Sequence, residues 1–275
     1  MLFERVYDAF RLIVSDSCRR GSPSVQQKID RVQRSPYLYS LRAKERPLMS
    51  TTARPSRDVA PLAYRRISVT PFQQNCSLIW CRETKAAALV DPGGEEERLL
   101  RAVDEEGVEL TKILLTHGHL DHAGAAGRLR AGTGCPIIGP HRGDDFWLAG
   151  LEQQSALFGF PRTESFTPDR WLDGGETLSL GEQRLEVLHC PGHTPGHVVF
   201  YSAAASLAFV GDVLFEGSVG RTDFPGGSFP QLRRSIREQL FPLGDEVTFV
   251  PGHGANSTFG RERETNPFVG DNARS

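Results

Sequence analysis

Residues that can bind metal ions follow apolar, strand-like segments at four points along this chain. The run "KILLT" leads into Thr116–His122, which reads T-H-G-H-L-D-H and contains three of the eight histidines. Further along, His193 lies in "CPGHTPGH", Asp212 ends the apolar stretch "AFVGD", and His253 lies in "VPGHG". Loops at strand ends often carry functional side chains on a rigid scaffold. The sequence therefore predicts a fold that builds one site from several strand ends.

The first cluster is predicted to form an extended loop, because Gly118 and the preceding β-type run disfavour a helix. In such a loop His117 and His119 point the same way, whereas Asp121 and His122 turn toward a different point. Four potential ligands this close suit two adjacent ions better than one, since a single tetrahedral ion would keep no open position for catalysis. The cluster alone also fits a structural metal site or an incidental grouping. The residues that follow the later strands favour a catalytic site.

Strand-like and helical segments alternate twice along the chain. The strand-like segments of the first half are "RRISVT", "CSLIWC", "AAALV", "TKILLT" and "PIIG". Those of the second half are "ETLSL", "QRLEVLHC", "HVVFYS", "SLAFVGD" and a final "EVTFVPGHG" that ends in a loop. Helices are predicted over 95–106 and 122–130, in "DDFWLAGLEQQSALFGF" and in "QLRRSIREQL". This order is typical of a layered α/β protein with two similar halves.

Charge divides the chain into two regions. Residues 1–66 have a net charge of +8, whereas residues 67–275 have a net charge of −10. Residues 15–60 are rich in Arg, Ser, Pro and Gln and show neither a helical nor a strand period, which indicates disorder. We therefore predict a disordered basic extension over 1–60, with the native start at or near Met49, and a folded domain over 61–275.

Composition restricts the compartment and the partners. The five cysteines form no C-x-x-C pair and no even-numbered framework, which favours a reducing, cytoplasmic setting. No apolar run reaches the roughly 18 residues of a membrane span. The folded region is acidic, which disfavours a nucleic-acid partner. We therefore expect a small-molecule substrate, no nucleic acid and no membrane, while the sequence does not indicate an oligomeric state.

The complete pattern resembles a known superfamily. H-x-H-x-D-H, a distant His, an Asp after a strand and a final His in a G-H-G turn form the signature of the metallo-β-lactamase fold superfamily. Within it, "QNCSLIW", "LVDPGG", "GDVLF", "GRTDFPGG" and "TNPF" make the chain similar to single-domain glyoxalase II-like hydrolases of the hydroxyacylglutathione hydrolase group, over about residues 63–268. The resemblance implies an αββα sandwich in which two mixed sheets are flanked by helices.

The resemblance also implies a centre of two divalent metal ions. The implied ligands are His117, His119 and His193 for the first metal, Asp121, His122 and His253 for the second, and Asp212 as the bridge between them. The implied metal is zinc, and nitrogen and oxygen ligands without thiolate are also compatible with iron or manganese. Two ions about 3.5–4 Å apart acidify a bridging water. The metal-bound hydroxide would attack the carbonyl carbon of a small thioester, with Asp121 as the catalytic residue that orients it.

Arg221 is the candidate substrate-binding residue. In glutathione-using relatives the matching position holds a Lys that receives a substrate carboxylate, and a Tyr follows two residues later. Here the pair is Arg221 and Asp223. Arg keeps the cation and adds bidentate binding, but Asp replaces the phenol. The 22 residues after His253 also leave no room for the helical domain that completes the glutathione pocket of larger relatives. Both departures count against a glutathione thioester, and an Arg221–Asp223 ion pair is the alternative interpretation.

Two other functions fit the same motifs. One is a persulfide dioxygenase on the same fold, which uses oxygen and a single iron held by two histidines and an aspartate. The other is a metal-binding protein without catalytic activity. Among the residues outside the implied ligand set, His197 is expected to make a packing or supporting contact, His189 to be structural and His141 to lie at the surface. Cys190 is expected to be a buried, inert thiol.

Overall fold

The computed structural model of the protein describes residues 60–273. Apart from Ala60, the predicted disordered extension and the predicted start at Met49 lie outside the described residues. Within residues 60–273, no helix has both the length and the apolar character that crossing a bilayer requires. The cysteines of this range are free and buried; they are Cys76, Cys81, Cys135 and Cys190.

The first half of the folded region forms a mixed sheet of five strands in the order β1–β2–β3–β4–β5. The strands are β1 (Leu62–Val69), β2 (Gln74–Cys81), β3 (Ala86–Val90), β4 (Glu109–Leu114) and β5 (Ile137–Ile138). The pairs β1–β2 and β2–β3 are antiparallel, whereas β3–β4 and β4–β5 are parallel. Every residue of β2 is buried, as expected for a strand covered on both faces.

The second half forms a mixed sheet of six strands in the order β13–β12–β9–β8–β7–β6, and a short hairpin, β10–β11, lies outside it. The strands are β6 (Thr177–Leu180), β7 (Gln183–His189), β8 (Val198–Ser202), β9 (Leu207–Gly211), β10 (Leu214–Phe215), β11 (Ser218–Val219), β12 (Thr248–Pro251) and β13 (Ser257–Thr258). Only β12 and β9 pair in parallel among the described strands of this sheet.

Helices cover the outer faces of both sheets. They are α1 (Glu96–Glu106), α2 (Leu120–Ala123), α3 (Ala126–Thr133), α4 (Asp145–Ala149), α5 (Leu151–Phe158), α6 (Phe229–Ser235) and α7 (Phe259–Thr265). Short 3₁₀ turns occupy Arg142–Asp144, Ala203–Ala205 and Phe241–Leu243, and a π-helical turn, Ile236–Leu240, follows α6. The predicted helix over 95–106 is α1, which buries Leu99, Ala102 and Val103 and ends at Gly107 in the left-handed conformation that glycine favours.

The apolar core has three layers. The central layer joins side chains of both sheets, such as Ile79 and Leu114 of the first and Phe200 and Phe209 of the second. One outer layer packs the first sheet against α1, α3 and α5, and the other packs the second sheet against α6 and α7. Because each amphipathic element buries its apolar face against a neighbour, the layers run helix, sheet, sheet, helix. The predicted αββα sandwich with two mixed sheets is confirmed.

The predicted helix over 122–130 is broken in the structure. Helix α2 ends at Ala123, and α3 begins at Ala126. At the break, the N–H of Ala125 donates to the carbonyl of Pro92 at 2.9 Å. A Cβ atom at Gly124 would lie 2.6 Å from the carbonyl oxygen of Gly93, so only glycine permits this approach. The loop after β3 therefore redirects the chain where a continuous helix was expected.

The prediction that "EVTFVPGHG" is the final strand was wrong. Strand β12 is followed by β13, which pairs with it in antiparallel, and then by α7. The hydroxyl of Thr258 accepts a hydrogen bond from the N–H of Arg261, which caps the start of this helix. Helix α7 also buries Phe259 in the outer core layer. The C-terminal helix thus completes the cover of the second sheet.

Candidate metal centre

The predicted ligands lie in loops at the ends of strands, and the fold brings them together. His117 and His119 lie in the loop after β4, and α2 then presents Asp121 and His122. Asp212 directly follows β9, and His253 follows β12. His193 lies in the loop between β7 and β8. Short loops on two packed sheets therefore hold all seven side chains near one point.

The first ligand group consists of three histidines, His117, His119 and His193. The Nδ1 atom of His119 lies 3.1 Å from Nε2 of His117 and 3.1 Å from Nε2 of His193. Ligands at 2.0–2.1 Å around a tetrahedral zinc ion are about 3.3 Å apart, so these separations suit one ion. As expected from the extended loop, His117 and His119 point toward the same position.

The second ligand group consists of Asp121, His122 and His253. Oδ2 of Asp121 lies 3.1 Å from Nε2 of His253 and 3.7 Å from Nε2 of His122. The short helix α2 presents Asp121 and His122 to this second group, although the rings of His122 and His117 lie only 4.1 Å apart between centroids. The four potential ligands of the opening motif are therefore divided between two groups.

Asp212 lies between the two groups. Its Oδ2 atom is 3.6 Å from Nε2 of His193 in the first group and 3.7 Å from Nε2 of His253 in the second. Its Oδ1 atom is 3.4 Å from Nε2 of His122. A single carboxylate thus faces both groups, which is the position predicted for a bridging ligand.

Hydrogen bonds indicate which ring nitrogen is free in three of the histidines, His117, His193 and His253. His193 donates from Nδ1 to the carbonyl of Arg221 at 2.7 Å, and His253 donates from Nδ1 to the carbonyl of Phe72 at 3.2 Å. Nδ1 of His117 lies 3.0 Å from the hydroxyl of Thr116, which itself donates to a carboxylate. Since a neutral imidazole carries one N–H, these bonds leave Nε2 of each ring with an open lone pair.

The residues fit a pair of cations. Nε2 of His122 and Oδ1 of Asp212 are buried and have no hydrogen-bond partner among the described residues. In the first group, the Nε2 lone pairs of His117 and His193 both face Nδ1 of His119. Because that nitrogen carries at most one proton, it can satisfy only one of the two lone pairs. Buried polar atoms are normally paired. Two divalent ions would satisfy these atoms, so the assignment of all seven ligands stands as a prediction that the donor set supports.

The charge states of the two groups differ. Burial lowers the pKa of His117 and His119 well below the usual range, and their histidine neighbours lower it further. Metal ligation requires neutral imidazole, so the first group is prepared for it. Burial also disfavours a charged His122, but Asp212 and Asp121 raise the pKa of His122 well above the usual range. The two carboxylates thus place negative charge next to His122, which also favours a bound cation.

The fold agrees with comparisons against known proteins. Residues 69–253 match the metallo-β-lactamase superfamily. The chain belongs to this superfamily. A hydroxyacylglutathione hydrolase, GloC, of Haemophilus influenzae is 50% identical over 204 residues, which cover 74% of this chain and 96% of that protein. This metallo-β-lactamase-fold protein is an enzyme of the metal-dependent hydrolase class.

Two solved structures of the superfamily resemble this one along nearly their whole length. The B3 metallo-β-lactamase BLEG-1 has a TM-score of 0.70 and 35% identity, with 75% of this chain and 99% of that chain covered. TTHA1623, solved in a di-iron-bound form, has a TM-score of 0.68 and 37% identity, with 74% and 99% covered. The fold is therefore shared with proteins whose names point to different substrates and metals.

Asp91 supports the centre, and its role was missed in the sequence. Its Oδ2 atom lies 3.0 Å from Nδ1 of His122 and accepts the Thr116 hydroxyl at 2.6 Å, while Oδ1 accepts the Thr116 N–H at 2.7 Å. A carboxylate on the second nitrogen of a metal-binding imidazole fixes its orientation and raises its basicity. The signal was available, because Asp91 directly follows the apolar β3 as Asp212 follows β9.

Replacing Asp91 by asparagine is expected to weaken metal binding at the second group by about 10–100-fold. Asparagine tolerates the positive φ of 52° at this position, so the backbone is preserved. Its NH₂ group, however, would face either the His122 N–H or the Thr116 N–H. Competition with a chelator measures the change. The exposed Asp104→Asn serves as the control, and equal affinities in both variants would contradict the assigned role.

Three further histidines surround the ligands in this metallo-β-lactamase fold. His197 is fully buried, accepts a hydrogen bond at Nε2 from the Asp212 N–H at 3.0 Å and stacks on His117 with 4.7 Å between ring centroids. This is the supporting contact that was expected. His189 donates from Nε2 to the carbonyl of Pro195 at 2.9 Å. His141 stacks on His189 and is half-buried, so it is less exposed than predicted.

Cys190 is completely buried, and burial raises the pKa of its thiol above the usual range. A protonated, inaccessible thiol is a poor nucleophile. Cys190 therefore behaves as a small apolar residue beside the metal loops, as the sequence indicated.

Arg221 contributes to the centre through its backbone, since its carbonyl accepts the His193 Nδ1–H. Its guanidinium binds Asp223 in a bidentate pair, with Nε–Oδ1 at 2.9 Å and Nη2–Oδ2 at 2.6 Å. The same guanidinium lies 4.8 Å from the ring centroid of Phe224. The structure thus contains the ion pair that was the alternative interpretation, and a substrate carboxylate would have to compete with Asp223.

Proposed function

We propose that this enzyme hydrolyses a small thioester with the help of two divalent metal ions. The observation that carries the proposal is the sharing of Asp212 by two ligand groups, three histidines on one side and Asp121, His122 and His253 on the other. Such an arrangement suits a pair of ions that act together on one water and one carbonyl. The 50% identity to a hydroxyacylglutathione hydrolase supports a thioester as the substrate.

The residues of the chain have distinct tasks in this proposal. Bound divalent ions supply Lewis acidity, which lowers the pKa of a water to about 7 and polarises a carbonyl oxygen. Hydrogen bonds from Nδ1 hold His193 and His253 with Nε2 toward the ligand position. The side chain of Asp121 is 16% exposed and so remains accessible from the solvent side. We assign Asp121 the catalytic task of orienting the attacking water.

We propose zinc as the metal. The ligands are neutral imidazoles and carboxylates without thiolate, a set that zinc, iron and manganese all accept. The di-iron form of TTHA1623 is a finding about that protein, and it makes iron the principal alternative here. Elemental analysis of the protein after expression in medium with equal zinc, iron and manganese separates the three.

Aromatic side chains next to the first ligand group suit the apolar part of a thioester. The ring of Phe224 lies 4.9 Å from that of His119, and the ring of Trp147 lies 4.4 Å from it. An apolar wall next to polar groups is typical of small-molecule sites. The adjacent Arg221 is the proposed contact for a substrate carboxylate, once Asp223 is displaced. A small molecule is therefore the proposed partner. We propose the reducing cytoplasm as the location of the enzyme, because the described cysteines are free.

A panel of substrates tests the proposed function. The metal-loaded enzyme is assayed with S-lactoylglutathione, with acyl thioesters that carry or lack a carboxylate, and with a β-lactam. We expect thioesters to be hydrolysed at least tenfold faster than the lactam. Arg221→Ala should lower kcat/KM only for substrates with a carboxylate.

Three results would contradict the thioesterase proposal. The first is hydrolysis of the lactam without hydrolysis of any thioester. The second is oxygen consumption on addition of glutathione persulfide with a single iron per chain, the property of the dioxygenase alternative. The third is two bound ions with no turnover of any substrate, the property of a metal-binding protein without activity.

A further inference from the structure

Asp144 is a buried carboxylate that belongs to neither ligand group. It ends the 3₁₀ turn Arg142–Asp144, has no exposed surface, and lies between the two loops that carry the first ligand group. Among the described residues, no lysine or arginine forms an ion pair with it. A buried charge without a cation is costly unless it accepts several hydrogen bonds. Its environment therefore has to supply donors.

The donors come from both metal loops. Oδ2 of Asp144 accepts the N–H of Gly118 at 2.9 Å and the hydroxyl of Thr194 at 2.8 Å, and Oδ1 accepts the N–H of Gly196 at 2.6 Å. Gly118 lies between His117 and His119, and Thr194 directly follows His193. One carboxylate thus ties together the backbone next to all three histidines of the first group.

The two loops are shaped to approach this turn. A Cβ atom at Gly196 would lie 2.4 Å from the backbone nitrogen of Asp144, and one at Gly118 would lie 2.7 Å from Cβ of Trp147. Glycine is therefore required at both positions for the contact to form. On the other side of the turn, a Cβ atom at Gly143 would lie 2.9 Å from the backbone of Pro195. Gly143 and Asp144 of the turn are therefore packed against the loops.

We propose that Asp144 is a positioning residue that holds His117, His119 and His193 at the spacing of one metal ion. The inference rests on the proposed metal centre and extends it, because it assigns the geometry of the first group to a residue outside the ligand set. The two loops come from different sheets, since one follows β4 and the other precedes β8. The carboxylate of Asp144 joins the two loops next to their metal ligands.

The test compares Asp144→Asn with Asp145→Asn. Asparagine has the same shape, but its NH₂ group would face the N–H of Gly118 or that of Gly196. Because two donors cannot form a hydrogen bond with each other, at least one of these bonds is lost. Asp145 is the adjacent residue, is exposed and makes the same change of charge. Metal-free full-length proteins are titrated with cobalt(II), and the visible absorption reports coordination. His253→Ala and His119→Ala backgrounds isolate the first and the second group, respectively.

We expect Asp144→Asn to weaken cobalt binding by the first group about 10–100-fold, as supporting residues of metal sites do. The second group of Asp144→Asn should bind cobalt with the wild-type affinity. Both groups of Asp145→Asn should do so as well. Equal weakening of both groups in a folded Asp144→Asn, with an unchanged Tm of the metal-free protein, would overturn the inference. Unchanged binding by the first group would overturn it as well.

Thr194 offers an independent route if Asp144→Asn does not fold. Thr194→Val removes one hydroxyl donor while it keeps the shape, and Thr194→Ser keeps the hydroxyl. We expect weaker binding by the first group in the valine variant and recovery in the serine variant, whereas equal losses in both would contradict the role of the hydrogen bond.

Cobalt binding is independent of substrate, so a wild-type protein that binds two ions but cleaves no thioester would refute the proposed function and leave this inference intact.

Discussion

Replacing Asp212 by alanine is expected to abolish hydrolysis, with a loss of more than about 10³-fold in kcat. Asp212 faces both ligand groups, with its carboxylate oxygens 3.4 to 3.7 Å from nitrogens of His122, His193 and His253. Burial by itself would raise the pKa of Asp212, but His122 and the other histidines keep it below the usual range, so the side chain is a buried anion. Its removal deprives both groups of a ligand and of negative charge.

The measurement pairs steady-state kinetics with metal content. His119→Ala, which removes a ligand of the first group only, should lose one metal ion per chain, whereas Asp212→Ala should weaken both. The exposed Asp104→Ala is the matched control and should keep wild-type activity. Full activity in both ligand variants would show that the ligand assignment is wrong.

Replacing Gly93 by alanine is expected to lower activity by about 10²-fold, the cost of displacing catalytic groups by about 1 Å. A Cβ atom at Gly93 would lie 1.6 Å from the carbonyl oxygen of Asp121 and 2.4 Å from its carbonyl carbon. Both are backbone atoms, so either the loop after β3 or the start of α2 must move. The first movement displaces Asp91, and the second displaces the ligands Asp121 and His122. The second metal ion should therefore be lost first.

Gly132→Ala provides the control for this substitution. A Cβ atom at Gly132 meets nothing within 4 Å, and the residue lies in α3. Alanine there should stabilise the protein by about 1 kcal/mol through helix propensity. Metal content, thermal unfolding and kinetics are measured on both variants. Two bound ions and normal kcat in Gly93→Ala would mean that the contact with Asp121 relaxes without effect on the site.

Much of the fold follows from sequence because its strands are short, apolar and directly followed by polar residues. The predicted strand "CSLIWC" is fully buried within β2, and the predicted strand end "AFVGD" delivers Asp212 after β9. Strand ends of a layered α/β fold are where loops carry sites, so ligand-type residues there were informative. The grouping of His117 with His119 followed from a period of two residues in an extended loop.

Other features depend on contacts between distant parts of the chain, which local patterns do not contain. The break between α2 and α3 arises because Pro92 accepts the N–H of Ala125. Asp144 looks like an ordinary acidic turn residue until the fold places Gly118 and Gly196 against it. The capped helix α7 was missed although Thr258 provided a starting signal. Tertiary hydrogen bonds thus decide what sequence periodicity leaves open.

Substrate identity is the least constrained property, for a physical reason. Metal ligands need particular atoms at set distances, so their spacing is visible in sequence. A substrate pocket needs only a suitable surface, and here Phe224 and Trp147 border the first group while Arg221 is held by Asp223. Several thioesters satisfy such a surface. A panel of substrates is therefore the way to identify the natural one.

The metal content of the purified protein, measured together with its thioesterase activity, tests the two-metal hydrolase most directly. The metal-free chain is loaded stepwise with zinc and analysed by mass spectrometry of the metals while hydrolysis is followed. We predict close to two zinc ions per chain, with full activity only when both groups are filled. A single iron per chain, with oxygen consumed when glutathione persulfide is added and no thioester cleaved, would contradict it.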